Sequence, residues 1–115
     1  MTFVEVHDEG SVRTLRLNRP DRLNALGSQL REDLEQAVSD TAESPARVVV
    51  LEGMGRVFSA GADLKDRTAV PEKELTWQQR RRAAGAWGRL LDAIEMLPQV
   101  TLASLHGYAI GGAFL

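Results

Sequence analysis

The chain has 115 residues, of which 43% are hydrophobic and 26% charged, and its formal net charge is −2. This composition is typical of a soluble globular domain and gives no reason to expect nucleic acid or an anionic membrane as partner. The absence of cysteine excludes disulfides, a thiolate nucleophile and cysteine-based metal sites, and we expect a cytoplasmic protein. We expect no secretory signal, and no apolar run approaches the ~20 residues of a membrane span.

The first elements along the chain predict a β-hairpin. Residues 3–6 form a short apolar strand, and residues 8–11 supply turn residues, among which Gly10 can take a positive φ. Residues 12–17 alternate apolar and polar side chains, the period of a half-buried strand. Pro20 ends that strand.

A helix and a buried strand follow. Residues 28–40 predict an amphipathic helix with Ser28 as N-cap and without a full capping box. The continuous apolar run 46–53 is typical of a strand buried on both faces of a parallel sheet, reached by a right-handed crossover. The apolar side chains of the helix recur every four residues: Leu30, Leu34 and Val38.

A long helix is predicted over residues 76–97, ended by Pro98, and a further strand over 100–107. The order strand, small-residue loop, helix thus occurs twice. We interpret the arginine run 80–82 as a solvated helix face and the two tryptophans as core or subunit-interface anchors. The apolar stripe of the helix comprises Trp77, Ala84, Trp87, Leu91 and Ile94.

Two segments rich in small residues, RVFSAGADLK (56–65) and HGYAIGGAFL (106–115), each leave an apolar strand and enter a helical pattern. The first N–H groups of a helix have no intrahelical partner and carry the positive end of its dipole. Two such N–H groups converging from different loops form an oxyanion hole, which holds a carbonyl oxygen as it gains negative charge. Taken alone, each segment is more often a tight turn than a catalytic site.

Three segments together resemble the N-terminal part of the enoyl-CoA hydratase/isomerase family, the crotonase superfamily: LNRPDRLNAL, RVVVLEGMGRVFSAGADL and VTLASLHGYAIGGAFL. The resemblance implies an α/β ClpP/crotonase fold of repeated β-β-α units, with residues 1–115 as the N-terminal part of an acyl-CoA-binding domain. It implies action on acyl-CoA thioesters by oxyanion-hole stabilisation of an enolate, in fatty-acid or related acyl-CoA metabolism. Coenzyme A would be part of the substrate, with no metal and no covalent cofactor, and the full-length protein would form a homo-oligomer, a trimer or hexamer.

The resemblance also assigns roles by position. The backbone N–H groups of Ala62 and Gly112 would bind the thioester oxygen. Asp63 would shape the loop and pocket rather than act as an acid. From its place just before Gly107, we expect His106 to be a strand-end packing or hydrogen-bonding residue rather than a base. Arg22 and Lys65 are phosphate partners or, equally, solvated charges. The walls of the CoA site would comprise Arg22, Leu23, Ala25, Ala60, Gly61, Asp63, Leu64, Lys65 and Gly111.

The sequence departs from the family hydratases at their two water-activating glutamates. The first position corresponds to Leu115, and the second falls beyond residue 115. Isomerisation, hydration with altered acids, hydrolysis and carbon–carbon bond chemistry therefore stay open, as does a non-catalytic acyl-CoA-binding remnant or scaffold. We interpret the chain as an N-terminal fragment or truncated product. We expect the isolated chain to be poorly stable or to associate, because a strand without its covering helices exposes an apolar patch, and to lack hydratase activity.

Overall fold

The structure is a computed structural model that describes residues 2–59, 61 and 76–107, without the side chains at 80 and 82–84. Its strands form one four-stranded sheet in the order β1-β2-β3-β4. The elements in chain order are β1 (Val4–Glu9), β2 (Val12–Leu17), a 3₁₀ turn (Pro20–Arg22), α1 (Ser28–Ala42), β3 (Val48–Gly53), α2 (Trp77–Glu95) and β4 (Val100–Ala103).

The sheet is mixed. β1 and β2 pair antiparallel through a tight turn in which Gly10 has a φ of +60°, as the sequence predicts. β2, β3 and β4 pair in parallel, with Leu15 opposite Leu51. Parallel neighbours need a crossover connection, and α1 supplies it between β2 and β3. The predicted α/β architecture is therefore correct.

The core lies on one face of this sheet. Leu30, Leu34 and Val38 of α1 pack there, which confirms the predicted helical stripe. Burial of each such side chain stabilises the fold by about 1.5–3 kcal/mol. The buried cluster comprises Val4, Leu15, Leu17, Leu30, Leu34, Ala37, Val38, Val49, Phe58 and Leu90.

The prediction that β3 is buried on both faces is wrong for the part of the chain that the structure describes. Val49 points into the core and is 0% exposed, whereas its neighbours Val48 and Val50 are only half-buried. On the next strand, Leu102 is 53% exposed. The reason is that α1 and α2 both contribute to the cluster on the Val49 face.

Two further predictions need correction. Ser28 is the first helical residue of α1 rather than its N-cap; the N-cap is Gly27, whose backbone is extended and which makes no side-chain cap bond. Of the two roles predicted for Trp77, that of a core residue is wrong, because the side chain is 72% exposed with the Arg81 guanidinium 5.4 Å from its ring. The role of a subunit-interface anchor stays a prediction. Trp87, in contrast, packs against the cluster as expected.

Candidate functional site

Residues 19–26 fold into a tight turn after β2. The 3₁₀ turn at Pro20–Arg22 is followed by Leu23 and Asn24, whose φ angles are 53° and 52°. Asparagine enters this left-handed region more readily than most residues, since its short amide bonds to nearby backbone. The Asn24 N–H donates to the Arg19 carbonyl at 2.9 Å, which closes the turn and carries the Asn24 side chain into the interior.

The Asn24 side chain joins this turn to the loop that follows β3. Its Nδ2 lies 2.9 Å from the carbonyl oxygen of Met54, 3.2 Å from that of Val57 and 3.1 Å from that of Phe58. Its Oδ1 accepts the Arg19 N–H at 2.8 Å. An amide carries two N–H donors, so the three carbonyls share them. Asn24 is 0% exposed, and its hydrogen-bonding groups are therefore used inside the protein.

Ser59 extends the same network to Gly61. The Ser59 hydroxyl donates to the Asn24 carbonyl at 2.7 Å and accepts the Gly61 N–H at 3.1 Å. The Gly61 carbonyl accepts the N–H of Leu26 at 2.6 Å. Both backbone polar groups of Gly61 thus have partners, and its φ of +84° is one that glycine adopts without strain.

The close approach of these elements depends on Gly53, at the end of β3. A Cβ at this position would collide with the Phe58 carbonyl and lie 2.9 Å from the Asn24 Nδ2. Glycine therefore lets the loop fold back over the strand end, where the Asn24 amide reaches it.

The described ends of the two small-residue segments lie side by side. The Phe58 N–H donates to the His106 carbonyl at 2.9 Å, and the His106 Nε2 lies 2.9 Å from the Gly55 carbonyl oxygen. Since a carbonyl only accepts, Nε2 carries the proton in this contact. Gly107, with a φ of +62°, packs so tightly on the backbone that a Cβ there would collide with the Arg56 carbonyl. His106 thus makes hydrogen bonds, one of the two roles predicted for it, but it lies three residues beyond the end of β4 at Ala103 rather than at the strand end.

The predicted site residues divide between described and undescribed parts of the chain. Arg22 is exposed, Leu23 is half-buried, and Ala25 and Gly61 are buried on either side of the Ser59 network. The remaining predicted site residues lie outside the described residues: Ala60, Ala62, Asp63, Leu64, Lys65, Gly111 and Gly112, together with Leu115.

A groove lies between α1 and α2, away from this network. It has a volume of about 590 Å³, and none of the described residues that line it is a predicted site residue. On its α1 side, the Arg31 Nε lies 3.3 Å from the Glu35 Oε1. Within ranges 2–59 and 76–107 no cluster of His, Asp and Glu could hold a metal ion. None of the helices described there has the length and apolar character needed to cross a membrane.

Sequence reasoning did not single out Asn24 or Ser59. The sequence signal available for Asn24 was weak, namely an asparagine just after a Pro-containing turn, where left-handed backbone is common. Ser59 offered no signal, because a serine before small residues is equally typical of an exposed loop. Both residues were found only through contacts with backbone about 30 positions away.

Comparison with known proteins gives a consistent result. The sequence model of the enoyl-CoA hydratase/isomerase family matches residues 7–115. YhaR of Bacillus subtilis, which is named as an enoyl-CoA hydratase/isomerase, is 35% identical over 96% of this chain and 42% of its own length. The hydroxycinnamoyl-CoA hydratase-lyase of Pseudomonas fluorescens is 32% identical over 96% of this chain and 41% of its own.

The fold agrees as well. A crystal structure of enoyl-CoA hydratase from Bacillus anthracis superposes with a TM-score of 0.82 at 34% identity, covering 97% of this chain and 43% of that one. The chain thus spans about two fifths of the length of the relatives it matches. With the family model covering all but the first six residues, the chain belongs to the enoyl-CoA hydratase/isomerase family.

Proposed function

We propose that this chain supplies the carbonyl-binding part of an enzyme acting on acyl-CoA thioesters, with the backbone N–H groups of Ala62 and Gly112 as the oxyanion hole. The observation that supports this is the hydrogen bond from Phe58 to His106 at 2.9 Å. It joins the two segments that carry the proposed donors, four residues before Ala62 and six before Gly112. Two donors on one carbonyl oxygen require such convergence.

The proposed donors would act by stabilising negative charge on the thioester oxygen. When a base removes a proton next to a thioester carbonyl, negative charge moves onto the carbonyl oxygen. Two fixed N–H dipoles stabilise that charge without reorganising, and one such donor contributes about 2.7–4 kcal/mol to the transition state. This stabilisation serves isomerisation, hydration and carbon–carbon chemistry alike, so the hole fixes the substrate class rather than the reaction.

The rest of the proposal concerns binding and assembly. Residues 1–115 form the N-terminal part of an acyl-CoA-binding domain in which Arg22 and Lys65 face the CoA phosphates. The exposed position of Arg22 is compatible with a phosphate contact and with a solvated charge. Coenzyme A enters as part of the substrate, without a metal. We place the protein in the cytoplasm as a homo-oligomer, a trimer or hexamer.

One sequence feature favours a second function. Leu115 stands where the resemblance places the first hydratase glutamate, and leucine cannot transfer a proton. A protein that kept the carbonyl pocket without acids would bind acyl-CoA and not turn it over. Deuterium incorporation from D₂O next to the thioester separates the two, since only an enzyme with a base exchanges that proton.

The test measures the thioester carbonyl directly. Infrared difference spectra of butyryl-CoA, isotopically labelled at the thioester carbon, should show a lower C=O stretching frequency when bound to the protein at its natural length. Ala62→Pro removes the N–H and should abolish most of the shift, while Ala62→Gly retains the N–H and should keep it. A thioether analogue without the carbonyl should bind more weakly to the unmodified protein, and equal binding would refute the proposal even if Ala62→Pro does not fold.

A further inference from the structure

We propose that Asn24 and Ser59 are positioning residues that fix the peptide group between Gly61 and Ala62, and with it the direction of the first oxyanion donor. This rests on the proposed function. It goes beyond it by assigning a role to two buried side chains that are not themselves part of the oxyanion hole.

Burial excludes direct substrate contact by either side chain in this structure. Asn24 and Ser59 are each 0% exposed. Buried polar side chains are retained where their hydrogen bonds are made, and these two bond to backbone of one loop and one turn. Their partners in the loop run from Met54 to Gly61, the stretch that leads from β3 to the proposed donor.

The geometry of the peptide bond links that network to the donor. In a trans peptide the C=O of one residue and the N–H of the next lie in one plane and point in opposite directions. The Gly61 carbonyl is held by the Leu26 N–H at 2.6 Å. Fixing this carbonyl therefore fixes the direction in which the N–H of the same peptide group, that of Ala62, would point.

Ser59 holds the other side of Gly61. Its hydroxyl accepts the Gly61 N–H and donates to the Asn24 carbonyl, so it connects the loop to the turn that also carries Leu26. The preceding residue, Phe58, is anchored twice, through its carbonyl by Asn24 and through its N–H by the His106 carbonyl. Because the backbone at Phe58 is held in place, the two hydrogen bonds of the Ser59 hydroxyl can set the position of Gly61. The methyl group of an alanine at position 59 makes neither bond.

The expected consequence is a loss of polarisation rather than of affinity. A molecule as large as CoA would make contacts outside this network, while oxyanion stabilisation depends on the exact position of two N–H groups. A misplacement of about 1 Å at a reacting centre costs on the order of 100-fold in rate. Removing the Ser59 hydroxyl should thus lower kcat roughly 10- to 100-fold, with KM changed little.

The experiment uses Ser59→Ala in the protein at its natural length, with Thr41→Val as matched control. Thr41 is also 0% exposed and its hydroxyl bonds to the Ala37 carbonyl at 2.6 Å within α1, so this control removes a buried hydroxyl away from the loop. The readout is the C=O stretching frequency of bound, carbonyl-labelled butyryl-CoA, supported by kcat and KM where the protein turns over a substrate.

Each outcome has one meaning. A carbonyl shift that is reduced in Ser59→Ala and retained in Thr41→Val supports the positioning role. An unchanged shift in Ser59→Ala refutes that role and leaves the proposed function standing. Absence of any shift in the unmodified protein refutes both. If Ser59→Ala does not fold, amide exchange in the unmodified protein decides: unprotected Gly61 and Leu26 amides would overturn the inference, and protected ones support it.

Discussion

Replacing Asn24 by alanine should be among the most destabilising single changes in this chain. The variant removes the Oδ1 that accepts the Arg19 N–H and the Nδ2 that lies within hydrogen-bond distance of the Met54, Val57 and Phe58 carbonyls. Each buried polar group left unpaired costs about 1–3 kcal/mol. Alanine at a φ of 52° adds about 1 kcal/mol, because its Cβ disfavours the left-handed region. With one such group on each side of the amide and the strain added, we expect a loss of about 3–7 kcal/mol in the free energy of unfolding.

Urea unfolding followed by far-UV circular dichroism measures this loss, and two companion variants separate its causes. Asn24→Gly removes the same hydrogen bonds while tolerating the positive φ, so it should be about 1 kcal/mol more stable than Asn24→Ala. Asn18→Ala is the control, since Asn18 donates one hydrogen bond to the Glu5 carboxylate in a part-buried position. If Asn24→Ala costs no more than Asn18→Ala, the buried network does not hold the loop.

Four further changes have distinct expected results. Gly107→Ala should lower the urea midpoint strongly, since its Cβ meets the Arg56 carbonyl at a positive φ. Leu30→Ala should cost about 2–5 kcal/mol in the same assay, because Leu30 is 0% exposed in the core. Thr76→Ala removes the capping box of α2 and should cost about 1 kcal/mol. The hydrogen bond from Arg13 holds the pKa of Asp8 below its usual value, so this pair stabilises the fold above the ordinary carboxyl pKa and stops doing so as pH falls through the lowered one. The advantage of the unmodified protein over Asp8→Asn in melting temperature should therefore vanish in acid.

The parts of the fold that the sequence predicts well are those determined locally. The hairpin follows from alternation on either side of Gly10, and α1 follows from a four-residue period that one face of a helix explains. A strand–helix–strand order then leaves a parallel pairing as the natural topology, and β2 and β3 adopt it. No contact outside the segment itself is needed for any of these inferences except the last.

The predictions that failed depend on which neighbours are present. An apolar run such as 48–51 predicts burial but not how many faces are covered, and among the described elements α1 and α2 cover the Val49 face alone. Trp77 has the spacing of the apolar stripe, but at the first position of α2 it is 72% exposed, so periodicity alone did not tell a core side chain from a surface one. The Thr76–Gln79 capping box, in contrast, was present in the sequence as Thr-x-x-Gln and could have been predicted.

The candidate site also has a part that the sequence predicts and a part that depends on distant neighbours. The proposed oxyanion donors, backbone N–H groups of small residues, leave a pattern in the sequence because small side chains permit close approach. The side chains proposed to hold those N–H groups in place leave almost no pattern in the sequence. Asn24 and Ser59 act on backbone atoms, which every residue has, so no complementary residue type marks their partners.

This asymmetry bears on how the two segments work together. An oxyanion hole built from backbone N–H groups has no side chain that can adjust if a loop moves, so its accuracy depends wholly on the scaffold. In this chain two residues hold the loop after β3: Asn24 bonds the Phe58 carbonyl through its Nδ2, and His106, three residues after β4, bonds the Phe58 N–H through its carbonyl and the Gly55 carbonyl through its Nε2. The two segments that carry the proposed donors are therefore joined through the same loop. We expect a change at either residue to displace both proposed donors, so Asn24→Ala and His106→Ala, which removes the bond to Gly55, should be less than additive in their effect on carbonyl polarisation.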